Sequence, residues 1–388
     1  MKMKIVVFVS VLLLILTGCT KSEDKVVEAS DINVENESAV VETEPRIENI
    51  NISVTGDIMF HSTQLKAAYD NESKTYKFDS VFEKVKPYFE DADLAIANFE
   101  TVTGGKETKY SGYPTFNTPE NVLDTLKGIG IDILTTANNH CLDRRKEGLI
   151  KTIDEMDKRD IDHLGTYKNG EREVFVTEID GINIGILSYT YGCNGMESTL
   201  SAEELNNMVN IINEDSIKND IDILKSKNVD YIMSFMHWGN EYNRTASQTQ
   251  RNLADKMIDW GVDAILGSHP HVIQESEIKE IDGEKKLVVY SMGNFVSNQR
   301  RETLKGSYVK YTEDGVIINL SLEKNFETGK TILTNVKYTP TWVNRYKENG
   351  KFIYDIIPIE KDNVKLYPNL ENKLIDSYNN TMTQMMEY

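Results

Sequence analysis

The chain has 388 residues, with 62 acidic against 43 basic side chains and a formal net charge of −19. So acidic a surface repels nucleic acid and excludes it as a partner. Three cysteines exclude a disulfide-built scaffold, and a 39% hydrophobic content is enough to fill the core of one large domain.

Residues 1–19 read as a bacterial lipoprotein signal peptide. Lys2 and Lys4 form a positive start, and Ile5 to Leu16 is an apolar run too short to span a bilayer comfortably. Leu16-Thr17-Gly18-Cys19 has the form of a lipobox, in which cleavage before the cysteine leaves Cys19 lipidated. This predicts a protein anchored by lipid to the extracytoplasmic face of the cell membrane. Removal of residues 1–18 takes away two lysines and leaves a charge near −21. Residues 20–50 are rich in Glu and Asp and hold no aromatic, so they read as a disordered acidic linker. A single domain is expected over 51–340 and a C-terminal extension over 341–388. No internal repeat is visible.

Within the domain, Ile50 to Val54 alternates and predicts a strand ending at Thr55-Gly56-Asp57. Phe78 to Ala92 has helical spacing that Pro87 must disturb. Asp93 to Ala97 is a second strand, ending at Asn98-Phe99-Glu100. Pro119 to Gly128 predicts a short helix with Thr118 as its cap. Ile131 to Thr136 is a third strand, ending at Asn138-Asn139-His140. A helix follows over Asp143 to Arg159, then a brief strand from Ile161 to Leu164. Asp180-Gly181 marks a hairpin between strands 174–179 and 182–189. Residues 190–212 form an insertion without a clear pattern. Ile217 to Lys227 and Ala246 to Trp260 read as helices, and Val229 to Met236 as a strand ending at His237. A further hairpin spans 272–290, another spans 315–339, and a weak helix lies near 370–386. Strands and helices alternating, followed by hairpins, predict an α/β fold in four layers, α-β-β-α.

The chemistry centres on Gly267-Ser268-His269-Pro270-His271-Val272, which follows the apolar run 262–266. In an extended segment, residues two apart point to one side, so His269 and His271 can converge on one small volume. Imidazole is a common metal ligand. Asp57, Glu100, Asn139 with His140, His237, and the 269/271 pair each end a separate predicted strand. In open α/β sheets, functional groups gather beyond the carboxyl ends of the strands. Carboxylates, an amide oxygen and imidazoles together suit Zn, Mn or Fe(II). A shared carboxylate can bridge two ions about 3.5–4 Å apart. One or two divalent ions are therefore expected.

In order, the motifs are Gly56-Asp57, Asn98-Phe99-Glu100, Asn138-Asn139-His140 with Asp143, His237-Trp238-Gly239 with Glu241-Tyr242, 267–272, and Ser291-Met292-Gly293-Asn294-Phe295-Val296. This string resembles the CapA family of bacterial capsule (poly-γ-glutamate) synthesis proteins over about residues 51–298. That family is similar in fold to the calcineurin-like metallophosphoesterases. The resemblance implies that Asp57 and His271 hold one ion, that Glu100 bridges, and that Asn139, His237 and His269 complete the shell of the second ion. It further implies that His140 is an acid or outer donor and that Asp143 orients it. One position departs from the metallophosphoesterase pattern. Met59 stands where a histidine ligand is usual, and a thioether is a poor partner for a hard cation. His61 would replace it only if the loop bent.

The resemblance implies a role in synthesis, export or processing of the capsule polymer through a metal-dependent hydrolase or transferase site acting on an amide or phosphoester. The alternatives are a non-catalytic accessory subunit of a membrane polymer-synthesis complex and a phosphoesterase. Expected partners are membrane polymer-synthase subunits, the membrane itself, and an anionic polymer or peptide substrate. Cys141 and Cys193 read as free, small, partly buried side chains. Trp238 and Phe295 read as wall and core packing, and Asn294 as a partner for nearby backbone. His163 reads as ordinary, and Tyr189 and Tyr191 as residues of the site rim.

Overall fold

The computed structural model describes residues 45–385, other than 169 and 361. The expected signal peptide, Cys19 and most of the expected linker lie outside the described residues. Among the described residues, one sheet runs in the order 351–358, 330–348, 314–325, 47–58, 94–99, 133–135, 162–164, with Asn294–Val296 beside the 47–58 strand. A second runs in the order 276–281, 284–289, 264–268, 231–237, 182–190, 175–179. Both sheets are mixed. In the first, 47–58, 94–99, 133–135 and 162–164 run parallel, with 314–325 antiparallel beside 47–58 and followed by antiparallel 330–348 and 351–358. The second has a parallel centre with an antiparallel strand at each edge.

Side-chain alternation sorts the core into layers. Tyr231, Met233 and Phe235 of one sheet pack with Ile52, Val54 and Ile96 of the other, so the two sheets face each other. The opposite phase, Ile232 and Met236, packs against Ile221 and Leu224 of the helix Glu214–Ser226 and Leu253 and Met257 of the helix Gln248–Trp260. On the far side Ala95, Ala97 and Leu134 meet Phe82, Phe89, Leu126 and Met156. The architecture is the four-layer α-β-β-α arrangement. Each fully buried large apolar side chain contributes roughly 1.5–3 kcal/mol.

Three boundaries differ from expectation. The first strand begins at Ile47, inside the segment read as linker, and its start pairs with residues 323–325 by backbone alone. Composition does not report such pairing. The strand Lys330–Glu348 runs unbroken through position 340, where an extension was expected to start, and pairs with Lys351–Pro358. The connection is Asn349-Gly350, both at positive φ, a two-residue hairpin turn. The 341–358 segment thus belongs to the sheet. Pro87 splits the expected 78–92 helix into Asp79–Phe82 and Pro87–Glu90. The 190–212 insertion holds the helix Ala202–Met208, whose capping box joins Ser201 and Glu204.

The terminal helix Glu371–Met382 docks on the start of the 314–325 strand. Asn380 donates to Asp314 Oδ2 at 3.0 Å, and Oδ1 has no hydrogen-bond partner. Burial lifts the Asp314 carboxyl to about 7, against the lowering effect of the nearby Ser377 hydroxyl and the Asn380 amide. The unfolded carboxyl ionises near pH 4. Between about pH 4 and 7 the folded chain keeps a proton that the unfolded chain has lost. Stability should therefore fall as pH rises through that window and level off above it. Asp314→Asn is expected to remove this slope and to stabilise the protein at pH 8 by on the order of 1–3 kcal/mol. Urea unfolding of both proteins at pH 5 and pH 8 checks this, and a wild-type slope in the variant would contradict it.

Candidate metal centre

The inward-facing phase of three strands carries Asp57, Glu100 and His237. Ile50, Ile52 and Val54 face the inter-sheet core, so strict alternation would turn Asp57 outward. A register shift against the neighbouring strand between Thr55 and Asp57 reverses the phase, placing Ile58 in the outer layer and Asp57 inside. Gly56 permits this, because a Cβ there would lie 2.0 Å from the Gly293 carbonyl oxygen, which accepts the Asp57 N–H at 3.0 Å. Leu94 and Ile96 face inward, and Asn98 and Glu100 continue that phase. His237 follows Met233 and Phe235 in the same way.

The 269/271 pair converges by a different route from the one expected. The 264–268 strand ends at Ser268, and both histidines take positive φ, 94° at His269 and 57° at His271. Strand alternation therefore does not bring the rings together; two left-handed residues around Pro270 do. Positive φ in non-glycine residues costs free energy and recurs at functional sites. The His269 N–H donates to Asp57 Oδ2 at 3.2 Å.

Two groups of buried side chains result, each with ligand-type atoms close enough to share an ion: Glu100, His237 and His269, and Asp57, Glu100 and His271. Asn139 Oδ1 lies 2.8 Å from His237 Nε2, which brings the amide to the first group. His237 Nε2 is 3.5 Å from Glu100 Oε1, and His271 Nδ1 is 3.5 Å from Asp57 Oδ2 and 3.8 Å from Glu100 Oε2. The structure thus gathers all six residues singled out as ligands. His140 Nδ1 pairs with Asp143 Oδ2 at 2.8 Å, and the same oxygen accepts the Phe116 N–H at 2.5 Å. Phe116 packs edge-on against the His140 ring, 4.7 Å between centroids.

Several supporting residues were passed over or underread in the sequence. Asn98 donates to Asp57 Oδ1 at 2.7 Å, and Ser268 Oγ is 3.0 Å from His237 Nδ1, leaving Nε2 toward the centre. Both lie in the inward phase of their strands, which was the available signal. The Asn294 amide nitrogen donates to the carbonyls of His271 and Thr312, as expected, and also to Gln299 Oε1. Its oxygen is 3.1 Å from His271 Nδ1, so it also orients that ring. Tyr191 packs on His269 at 4.5 Å and is 45% exposed, at the rim. Tyr189 is buried and bonds Asp220 under the outer helix, so it is not a rim residue. Met59 is buried, and His61, whose Nδ1 accepts the Asn298 N–H at 3.3 Å, belongs to neither ligand group. Trp238 is buried wall, and His163 pairs with Asp157 away from the centre.

The electrostatics are those of a carboxylate pair among two imidazoles held neutral by burial and a third, His271, that the carboxylates favour as the cation. Burial and then the nearby Asp57 charge push the Glu100 carboxyl well above its usual range. Burial holds His237 down to about 3 and His269 well below its usual value. Burial would also lower His271, but Glu100 and Asp57 outweigh it and raise it to about 9. Burial opposes ionisation of Asp57, yet His271 and His237 keep its carboxyl below the usual value. Neither oxygen of Glu100 has a hydrogen-bond donor, although the side chain is fully buried, and His269 Nδ1 also lacks a partner. Buried polar atoms are almost always paired. The two unpartnered Glu100 oxygens, with imidazole nitrogens 3.5 Å and 3.8 Å away, fit a divalent cation among them.

Gly267 sets the spacing of this rim. A Cβ there would lie 1.9 Å from the Tyr290 carbonyl oxygen. Gly267→Ala is expected to destabilise the fold by about 3 kcal/mol in urea unfolding. Gly128→Ala, with nothing within 4 Å of the added carbon, should be neutral or slightly stabilising. Equal effects of the two substitutions would contradict the close-approach argument.

Solved structures of similar shape include a calcineurin-like phosphoesterase, YfkN, from Bacillus subtilis, with a TM-score of 0.45 and 15% identity, covering 87% of this chain and 99% of that one. Another is an NAD nucleotidase, NadN, from Haemophilus influenzae, with a TM-score of 0.45 and 12% identity, covering 88% of this chain and 57% of that one. Likeness at this level is distant and says nothing about chemistry. Among curated proteins, the PGA biosynthesis protein CapA of Bacillus subtilis is 27% identical over 298 residues, covering 74% of this chain and 71% of the relative. The capsule biosynthesis protein CapA of Bacillus anthracis is 27% identical over 263 residues, covering 65% of this chain and 61% of the relative. Residues 51–299 match the bacterial capsule synthesis protein family PGA_cap, and the chain belongs to that family.

Proposed function

We propose that this protein acts in poly-γ-glutamate capsule synthesis, export or processing through a metal-dependent hydrolase or transferase site, anchored by lipid on Cys19 to the extracytoplasmic face of the cell membrane. The observation that carries the reading is the fully buried, donor-less Glu100 carboxylate shared by two ligand groups. Glu100, Asn139, His237 and His269 would hold one ion, and Asp57, Glu100 and His271 a second. A bound divalent cation supplies Lewis acidity, polarising a substrate oxygen and acidifying water.

The chain's own residues do the rest. Asn98 and Ser268 fix Asp57 and His237 in orientation, and Asn294 fixes His271. The bond from Asp143 to His140 Nδ1 leaves Nε2 as the atom that hands a proton to a leaving nitrogen or oxygen. The acidic surface disfavours a long polyanion lying along the molecule. A single γ-glutamyl end entering the pocket meets the histidines instead. Partners of this reading are membrane polymer-synthase subunits. The second group has three ligand-type side chains among the described residues, and the family resemblance puts Met59 where a fourth is usual. That observation favours the alternative of an accessory subunit whose site binds polymer carboxylates without cleaving them, and it weighs against an ordinary phosphoesterase.

Metal analysis and activity assays on soluble protein of residues 30–388 separate these readings. Hydrolysis of γ-glutamyl peptides, with a generic phosphate ester turned over far more slowly, is the expected result. Bound metal with turnover of neither would favour the accessory role, and preferential ester hydrolysis would overturn the amide assignment. Glu100→Ala is expected to remove metal from both groups, whereas His269→Ala and Asn139→Ala should lose only the ion held with His237. All three should remain folded by circular dichroism. Full metal content in His269→Ala would show the ligand assignment to be wrong. Asp143→Asn should keep its metal and lose about 10²-fold or more in turnover; an unchanged rate would remove His140 from the proton-transfer role.

A further inference from the structure

The two cysteines read as unrelated in the sequence lie together in the fold. Cys141 Sγ and Cys193 Sγ are 3.6 Å apart and 52 positions apart in the chain, and both are buried. They sit in a small apolar core of their own with Leu142, Leu149, Ile153, Leu200, Met208 and Val209. This satellite core joins the helix Arg145–Asp157 to the 190–212 insertion. It also lies directly behind the candidate centre. Cys141 follows His140, and Cys193 precedes Asn194, whose Oδ1 accepts from Asn139 Nδ2 at 3.4 Å and from the Tyr191 hydroxyl at 3.4 Å.

We propose that Cys141 and Cys193 are an oxidation site that closes to an intramolecular disulfide, stapling the 139–143 turn to the segment carrying Tyr191 and Asn194. The oxidant is a disulfide, from a small molecule or a thiol oxidoreductase. One cysteine thiolate attacks it, forming a mixed disulfide and releasing one thiol. The second thiolate then attacks the mixed disulfide, forming the Cys141–Cys193 bond and releasing the other thiol. Two protons and two electrons leave the protein, and the electrons reduce the oxidant disulfide to two thiols.

Geometry favours the bond, since closing 3.6 Å to a sulfur–sulfur bond length of about 2.05 Å needs only side-chain rotation and small backbone adjustment. The pairing also closes a long loop, which is where a cross-link constrains the unfolded chain most. The neighbouring Cys141 thiol and burial both push the Cys193 thiol up. Exchange is therefore slow once the satellite core has closed. The bond belongs to the folding chain, and burial then shields it from reductant.

The full chain is unfolded and reduced, then refolded in a defined mixture of reduced and oxidised glutathione, so the result does not depend on where the protein resides. Free thiols are trapped by alkylation, and the protein is digested without reduction for mass spectrometry. The expected product is a peptide linking Cys141 to Cys193, with Cys19 outside the bond: lipid-bearing in processed protein, alkylated or carrying glutathione in unprocessed protein. The linked form should melt several degrees above the same protein refolded with reductant. Cys141 and Cys193 recovered alkylated, or bonded to Cys19 instead, would overturn the proposal. So would a linked form that melts no higher than the reduced one.

Discussion

The structure depends on one buried carboxylate. Glu100 sits just beyond the end of the 94–99 strand, fully enclosed, with no donor on either oxygen. Three imidazoles, a second carboxylate and an amide surround it. A bare carboxylate in such a place is unfavourable by several kcal/mol unless it is neutralised or paired. Every nearby device answers that constraint: the bulge at Thr55 and Asp57, the close approach of Gly56 and Gly293, and the left-handed turn at His269 and His271. Each holds a polar group in a geometry that ordinary strand alternation would not give.

The residues gathered at the candidate centre were legible in the sequence because each lies at or just beyond the end of a recognisable strand. Asp57, Glu100, Asn139, His237, His269 and His271 needed only strand-end logic and their chemical types. The way they converge was less legible. Alternation from Ile50, Ile52 and Val54 would have sent Asp57 to the wrong face, and no local pattern reveals a register shift made against a neighbour. His269 and His271 met as expected, but through positive φ rather than through extended backbone. The outer helpers Asn98 and Ser268 are ordinary polar residues whose role appears only once phase and partner are known. The C-terminal segment shows a similar limit. The turn at Asn349-Gly350 was a readable signal, yet the strand it closes is buried by pairing with residues 330–348, which composition does not report.

The Asp57 group offers three ligand-type side chains, Asp57, Glu100 and His271, while the other side has Glu100, Asn139, His237 and His269. The two halves of the centre are therefore unequal. The half with His237 and His269 is the stronger candidate for permanent occupancy. The half with Asp57 and His271 is better suited to an ion that shares its shell with substrate. This inequality links the fold to the choice between a catalytic and an accessory role. His61 does not join either group, since it is held by the Asn298 backbone and packs edge-on against Phe116.

The most direct measurement is anomalous X-ray diffraction from crystals soaked in Mn²⁺ or Zn²⁺. The account predicts an anomalous peak bounded by Glu100, Asn139, His237 and His269, with a second, weaker peak among Asp57, Glu100 and His271. Crystals that take up metal elsewhere, with no peak touching Glu100, would contradict it.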